Sequence, residues 1–297
     1  MTKVVLIGLG AVGLTYAVKL RDKCDLYILG DRQHIEKYSK KKPVFNGIEQ
    51  DFSYILPTDK FDADIIFITT KSNSLGTAIE NIENFVTPNT RIISLINGIS
   101  SEERISEAYP TARVLKSYFI GHSAVRNGNS VTQDGVGEIV IEHDDFIERF
   151  FNDADINYSV PNDIDYALWL KYTFNLFSNQ VSAILNMNFG DLKQNKQFLE
   201  FAKKIVSEVR QIAEVKGVKS LENLERDAIN SLNRMCDDGK TSMHQDILAK
   251  RPTEVDIFAG EIIRLGKVYN IKTPYNQALY DLIKIKEEDN EHCIHSR

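Results

Sequence analysis

The chain has 297 residues, 42% apolar and 26% charged, which fits a globular protein with room for two domains of ordinary size. Its net charge of −6 argues against a nucleic acid held on a general basic surface, and no apolar run reaches the roughly 18 residues of a membrane span. Met1 leads at once into a strand-like segment, and Cys24, Cys236 and Cys293 are far apart with no CxxC or His/Cys spacing. We therefore expect no signal peptide, a cytoplasmic location, free thiols and no metal site.

Residues 3–13 read KVVLIGLGAVG, a β-branched run followed by glycines and then by a helical pattern. In that strand–turn–helix setting G-x-G-x-x-G has a physical meaning. Gly8 allows the tight turn, Gly10 lets a pyrophosphate approach the backbone, and Gly13 lets the helix pack close to the strand. Gly8, Leu9, Gly10, Ala11, Val12 and Gly13 are thus candidate cofactor-binding residues. Leu26–Leu29 reads as the second strand and ends in Gly30-Asp31-Arg32, where such a fold reads the adenosine ribose. Asp31 suits the ribose hydroxyls of NAD and Arg32 the 2′-phosphate of NADP, so the signal is mixed. Lys37, Lys40, Lys41 and Lys42 follow, for most of which a solvated face is the simpler reading.

Short excursion strands are expected within 43–60, and 64–69 (DIIFIT) and 91–96 (RIISLI) read as buried parallel strands. They end in Lys71 and in Asn97-Gly98, so successive strands deliver glycines or polar groups to one edge of the sheet. Val114–Gly121 resembles a sixth strand. Asn127-Gly128 carries a type I′ hairpin signal with 137–142 (GEIVIE) as its partner, extending the sheet. Phe146–Ala154 reads as a closing helix and Ile156–Val160 as a last edge strand.

From Asp163 onward no strand-like alternation is evident. Tyr166–Asn186 reads as a helix, on whose wheel Lys171, Asn175 and Asn179 fall within about 80° among large apolar residues. Buried amides need partners, so this polar line faces either neighbours in the fold or a ligand. Further helices are expected over 200–216, 221–235, 253–269 and 276–286, with a frayed tail after Lys286. The expected architecture is a doubly wound α/β Rossmann domain over 1–163 and an all-α domain over 164–297.

With these pieces the sequence resembles the ketopantoate reductase family along essentially the whole chain. The most specific likeness is Trp169-x-Lys171 with Asn175 and Asn179, then Gly190-Asp191-Leu192. A second block follows at Ser242-Met243-His244-Gln245-Asp246, with Arg251 and Thr253-Glu254-Val255-Asp256. The resemblance implies reduction of the C2 ketone of 2-dehydropantoate by NADPH, giving pantoate for pantothenate and coenzyme A synthesis. It implies that Lys171 is the general acid and that Glu254 holds lysine and substrate in position. Asn175 and Asn179 would bind substrate oxygens, Ser242 the carboxylate, and Lys71 and Asn97 would lie beside nicotinamide and ribose. An ammonium donor suits a developing alkoxide on chemical grounds alone.

Gly121-His122-Ser123-Ala124, Ser74 and Gly30-Asp31-Arg32 depart from the family pattern. NADP(H) is favoured through Arg32, with NAD(H) left open by Asp31. His244 and Trp169 read as packing residues and Cys236 as inert. Two other functions stay open: a reductase of another small 2-oxo acid, and a dinucleotide sensor without turnover. The expected partners are a small substrate and, compatibly with a helical second domain, a second copy in a homodimer.

Overall fold

The computed structural model describes residues 1–121 and 123–295; the side chains of Ser123 and of 290–295 are outside the description. The chain divides into two compact units, Met1–Ile164 and Asp165–Arg297.

The first unit runs β1 (Lys3–Ile7), α1 (Ala11–Leu20), β2 (Asp25–Leu29), α2 (Arg32–Lys40), β3 (Val44–Phe45), β4 (Ile48–Glu49), β5 (Ser53–Ile55) and β6 (Ile65–Ile68). It continues through α3 (Leu75–Asn81), β7 (Arg91–Ser94), α4 (Ser101–Ala108), β8 (Arg113–Leu115), β9 (Ser117–Ile120), β10 (Ser123–Asn127), β11 (Ser130–Asp134), β12 (Glu138–Ile141), α5 (Asp145–Asp153) and β13 (Tyr158–Ser159). Six strands form an all-parallel sheet in the order β5-β2-β1-β6-β7-β8. Alternation along β1 explains why both faces are covered. Val4 and Leu6 join a core with Phe67, Leu14 and Phe151, whereas Val5 and Ile7 join a second core with Ile66, Leu75 and Ile105. Strand order reverses at β1, so the carboxyl ends of β1 and β6 flank the crevice where such sheets take ligands.

Three local expectations are corrected. The segment 114–121 is two strands: β8 ends the parallel sheet, while β9 pairs with β12 in a separate three-stranded sheet with β13. The Gly128 hairpin joins β10 to β11, not to 137–142, and lies in a four-stranded sheet with β3 and β4. Its two-residue loop has positive φ only at Gly128 (+62°), the type II′ pattern rather than type I′. The β9–β12 pairing skips the two strands between them, so the residues of 117–120 do not name their partner, whereas β11 is the strand that follows the turn directly.

The second unit is helical: α6 (Ile164–Leu185), α7 (Phe189–Gln194), α8 (Lys196–Val215), α9 (Leu224–Asn233), α10 (Ser242–Leu248), α11 (Ala259–Tyr269) and α12 (Pro274–His295). Gly190-Asp191-Leu192 lies in α7, started by an Asn188–Asp191 capping box. Residues 255–257 form a single 3-10 turn before α11, so the helix expected from Thr253 starts later. The chain after Lys286 continues α12 as far as His295. Asn186 is not helical; it takes the left-handed conformation (φ +56°) that stops α6.

Candidate functional site

The glycine turn follows directly from the geometry at the end of β1. A Cβ on Gly8 (φ +104°) would sit 2.7 Å from the backbone nitrogen of Thr70, and one on Gly13 would sit 1.8 Å from the Gly8 carbonyl oxygen. Both positions are closed by the chain itself. Gly10 differs, because a Cβ there would meet only the Thr69 carbonyl oxygen, at 3.8 Å. Nothing in the fold requires glycine at position 10, so the open approach to the backbone serves something outside the chain. Gly10 is also the N-cap of α1, which no side chain caps. Thr69 locks the turn: its hydroxyl donates to the carbonyls of Gly8 (2.6 Å) and Ile7 (3.1 Å). Beside it the buried Thr70 hydroxyl has no hydrogen-bond partner among the described residues. An open glycine backbone, an uncapped helix start and an orphaned hydroxyl on one sheet edge fit a dinucleotide diphosphate.

Leu9 is buried, while Ala11 and Val12 are half-buried on the first turn of α1. Asp31 is the N-cap of α2, accepting from the His34 backbone N–H at 2.8 Å, and that bond holds its carboxyl below the usual pKa. Its carboxylate also pairs with the His34 ring at 2.8 Å. Arg32 opens α2 and is exposed. Of the four lysines, Lys42 is paired to Asp51 at 2.8 Å. Lys71 is exposed beyond β6, and Asn97 is half-buried beyond β7, before Gly98 with φ +114°. The departure at 121–124 includes His122, which lies outside the described residues.

In the second unit α6 carries the polar line. Lys171 and Asn175 are half-buried, and Asn179 is 4% exposed. Ser178 and Ser182 turn back on the helix, donating to the carbonyls of Phe174 (2.7 Å) and Asn179 (3.0 Å). The amides of Asn175 and Asn179 make no hydrogen bond to any described residue, which leaves them for an outside partner. Trp169 is buried edge-on to Tyr172 at 6.0 Å between ring centroids, a packing role.

Two sets of contacts bring the second block onto α6. The Tyr172 phenol donates to the carbonyls of Phe258 (2.7 Å) and Ile257 (3.2 Å), anchoring the turn that opens at Glu254. Nearer the end of α6, Ser182 and Thr241 share a 2.6 Å hydroxyl bond, and Thr241 caps α10 through the His244 backbone N–H. Ser242, the first residue of α10, is exposed beside that cap. His244 is 1% exposed, with its Nε2 2.7 Å from Asn186 Oδ1, and burial holds its imidazole below the usual pKa. The helix α12 holds the segment around Glu254 through Thr253 and Asp256. Glu287 accepts from the Thr253 backbone N–H at 2.6 Å, while Tyr280 (2.8 Å) and Lys284 (3.2 Å) both reach the Asp256 carboxylate. Tyr172, Thr241 and this clasp carry no local sequence signature, and the reading from sequence missed them.

Comparison with known proteins agrees with both halves. The model of "Ketopantoate reductase PanE/ApbA" matches residues 4–145 and that of its C-terminal domain matches 163–287. The chain belongs to the ketopantoate reductase family. Members of this family named 2-dehydropantoate 2-reductase include one from Pyrococcus horikoshii, 29% identical over 299 residues, which cover 96% of this chain and 97% of that protein. The family and its relatives make the chain an oxidoreductase of the 2-dehydropantoate 2-reductase kind. The fold is shared with a D-mandelate dehydrogenase solved with NADH and anilino(oxo)acetate (TM-score 0.85, 22% identity, 98% of this chain and 100% of that one). It is also shared with a dimeric ketopantoate reductase from Staphylococcus aureus (TM-score 0.77, 22% identity, 97% and 99%). Among the described residues no helix is long and apolar enough to cross a membrane, and no cluster of metal-ligating side chains is found.

Proposed function

We propose that this ketopantoate reductase family member reduces the C2 ketone of 2-dehydropantoate to pantoate with NADPH, supplying pantothenate and coenzyme A synthesis. The observation that carries the reading is the line on α6, where Lys171 precedes Asn175 and the 4%-exposed Asn179, whose amides make no hydrogen bond to any described residue. When bound, the reduced dinucleotide supplies the hydride. Lys171 donates its proton to the ketone oxygen as that oxygen gains charge, and then recovers a proton from solvent. Asn175 and Asn179 hydrogen-bond the substrate oxygens. Ser242 donates to the carboxylate, and Glu254 holds the ammonium and substrate in line. Gly8, Leu9, Gly10, Ala11, Val12 and Gly13 cradle the diphosphate, Arg32 meets the 2′-phosphate, and Lys71 and Asn97 flank the nicotinamide riboside.

Asp31 favours a second reading, in which NADH serves and another small 2-oxo acid is reduced. Initial rates with 2-dehydropantoate and a panel of 2-oxo acids, the one related to mandelate among them, each with both dinucleotides, separate the two. Highest kcat/KM for 2-dehydropantoate with NADPH supports the proposal. A preferred different acid overturns the substrate, and dinucleotide binding without turnover on any acid favours a sensor.

A further inference from the structure

Arg126 lies 117 residues from Leu9 in sequence, yet its Nη1 donates to the Leu9 carbonyl at 2.9 Å, inside the glycine turn. Its Nε donates to the Gly128 carbonyl (2.9 Å) at the tip of its own hairpin, and Nη2 lies 3.5 Å from the Tyr38 hydroxyl on α2. We propose, resting on the dinucleotide reading above, that Arg126 is a positioning residue of that site. It holds the Gly8–Gly10 turn in shape and directs a positive charge to the dinucleotide's diphosphate.

Four observations converge on this. Arg126 is half-buried, and its three partners, two carbonyls and a phenol, are all neutral. Among the described residues no carboxylate forms an ion pair with it. A partly desolvated cation without a counter-charge is costly unless an anion completes the site. Leu9 also adjoins Gly10, the uncapped start of α1 with its open backbone, so the charge and the helix end favour the same kind of ligand. A guanidinium carries five N–H donors, and the bonds to Leu9, Gly128 and Tyr38 use three of them. Finally, β10 and β11 pack on α1, and Ala124 packs against the same apolar core as Ala11 and Val12, so the hairpin holds Arg126 in place.

A diphosphate contact predicts equal effects on NADPH and NADH, whereas a 2′-phosphate contact predicts an effect on NADPH alone. Dissociation constants of both dinucleotides, measured by calorimetry on the full-length wild type, Arg126→Met and Arg126→Lys, test this. Arg126→Met is expected to weaken both nucleotides by a common factor of about ten or more, and Arg126→Lys to recover part of the loss for both. Arg126→Gln keeps a donor but no charge, and gives the same measurement if the methionine variant does not fold. Unchanged binding of both nucleotides in the neutral variants overturns the proposal, and so does a loss confined to NADPH. A wild type that binds neither nucleotide overturns the dinucleotide reading itself, a different failure from the other two.

Discussion

The Tyr172 phenol donates to the Phe258 carbonyl at 2.7 Å, joining the residue that follows Lys171 to the turn that opens at Glu254. Tyr172 is 1% exposed, so removing its hydroxyl leaves two backbone carbonyls without that donor. Tyr172→Phe is expected to cost about 1–3 kcal/mol in urea unfolding. It should lower kcat/KM for the 2-oxo acid more than it weakens the dinucleotide.

Lys171→Met removes the proposed proton donor and keeps much of the apolar stem. We expect kcat to fall by about 10²–10⁴-fold while calorimetry still finds dinucleotide binding. Near-normal turnover would remove Lys171 from the mechanism.

The two glycines at 10 and 13 should part company. Gly13→Ala drives a Cβ to within 1.8 Å of the Gly8 carbonyl oxygen and should lower the thermal midpoint sharply, because backbone must move. Gly10→Ala meets nothing closer than 3.8 Å, so its thermal midpoint should stay near that of the wild type while dinucleotide affinity drops. Equal midpoints for both variants would contradict the geometry.

In the proposed site Asp31 and Arg32 pull the cofactor preference in opposite directions. Asp31→Asn keeps an N-cap acceptor for α2 and removes the charge beside Arg32, so the ratio of kcat/KM for NADPH over NADH should rise at little cost in stability. Arg32→Ala should lower the same ratio. If neither variant moves it, the discrimination lies elsewhere.

His244 sets a pH dependence whose sign follows from its lowered pKa. In the unfolded chain the imidazole takes up a proton near pH 6.5, and in the folded chain only at lower pH. The unfolded state thus binds more protons just below that value, so this contribution to stability is complete above about pH 6.5 and is lost as pH falls toward the folded pKa. His143 works in the opposite sense, since the Glu148 carboxylate raises its pKa. Thermal midpoints measured from about pH 7.5 to 5.5 should therefore fall less for His244→Gln than for the wild type. A steeper fall in the variant would reverse the assignment.

Features that depend on neighbours in sequence were legible, and features that depend on distant pairing were not. The glycine turn, the ends of β6 and β7 and the polar line on α6 could be read because one strand, turn or helix generates each. The Asp31 cap could have been read as well, since Asp followed by a helix start is a local signal. The split at Lys116 could not be, because β9 pairs with β12 across the intervening β10–β11 hairpin; the hairpin's partner is the strand directly after the turn, a local signal that the sequence reading passed over. Arg126 is one basic residue beside a turn until β10 is laid on α1. Tyr280 and Lys284 fall in the helix expected over 276–286 and Glu287 in the tail expected to fray, and nothing near them in sequence points to residues 253–256.

That last arrangement ties the helix at the end of the chain to the segment bearing Glu254, the proposed positioning residue. Three side chains of α12 grip Thr253 and Asp256, which flank Glu254 and Val255, and Glu208 of α8 secures the start of the same helix through the backbone N–H groups of Tyr275 and Asn276. A truncation that stops short of Glu287 would spare every proposed catalytic side chain and most of the apolar core. It would release the Thr253 backbone and slacken the segment bearing Glu254, and under the proposed mechanism turnover should fall further than stability. Trimming from this terminus would therefore mimic an active-site lesion.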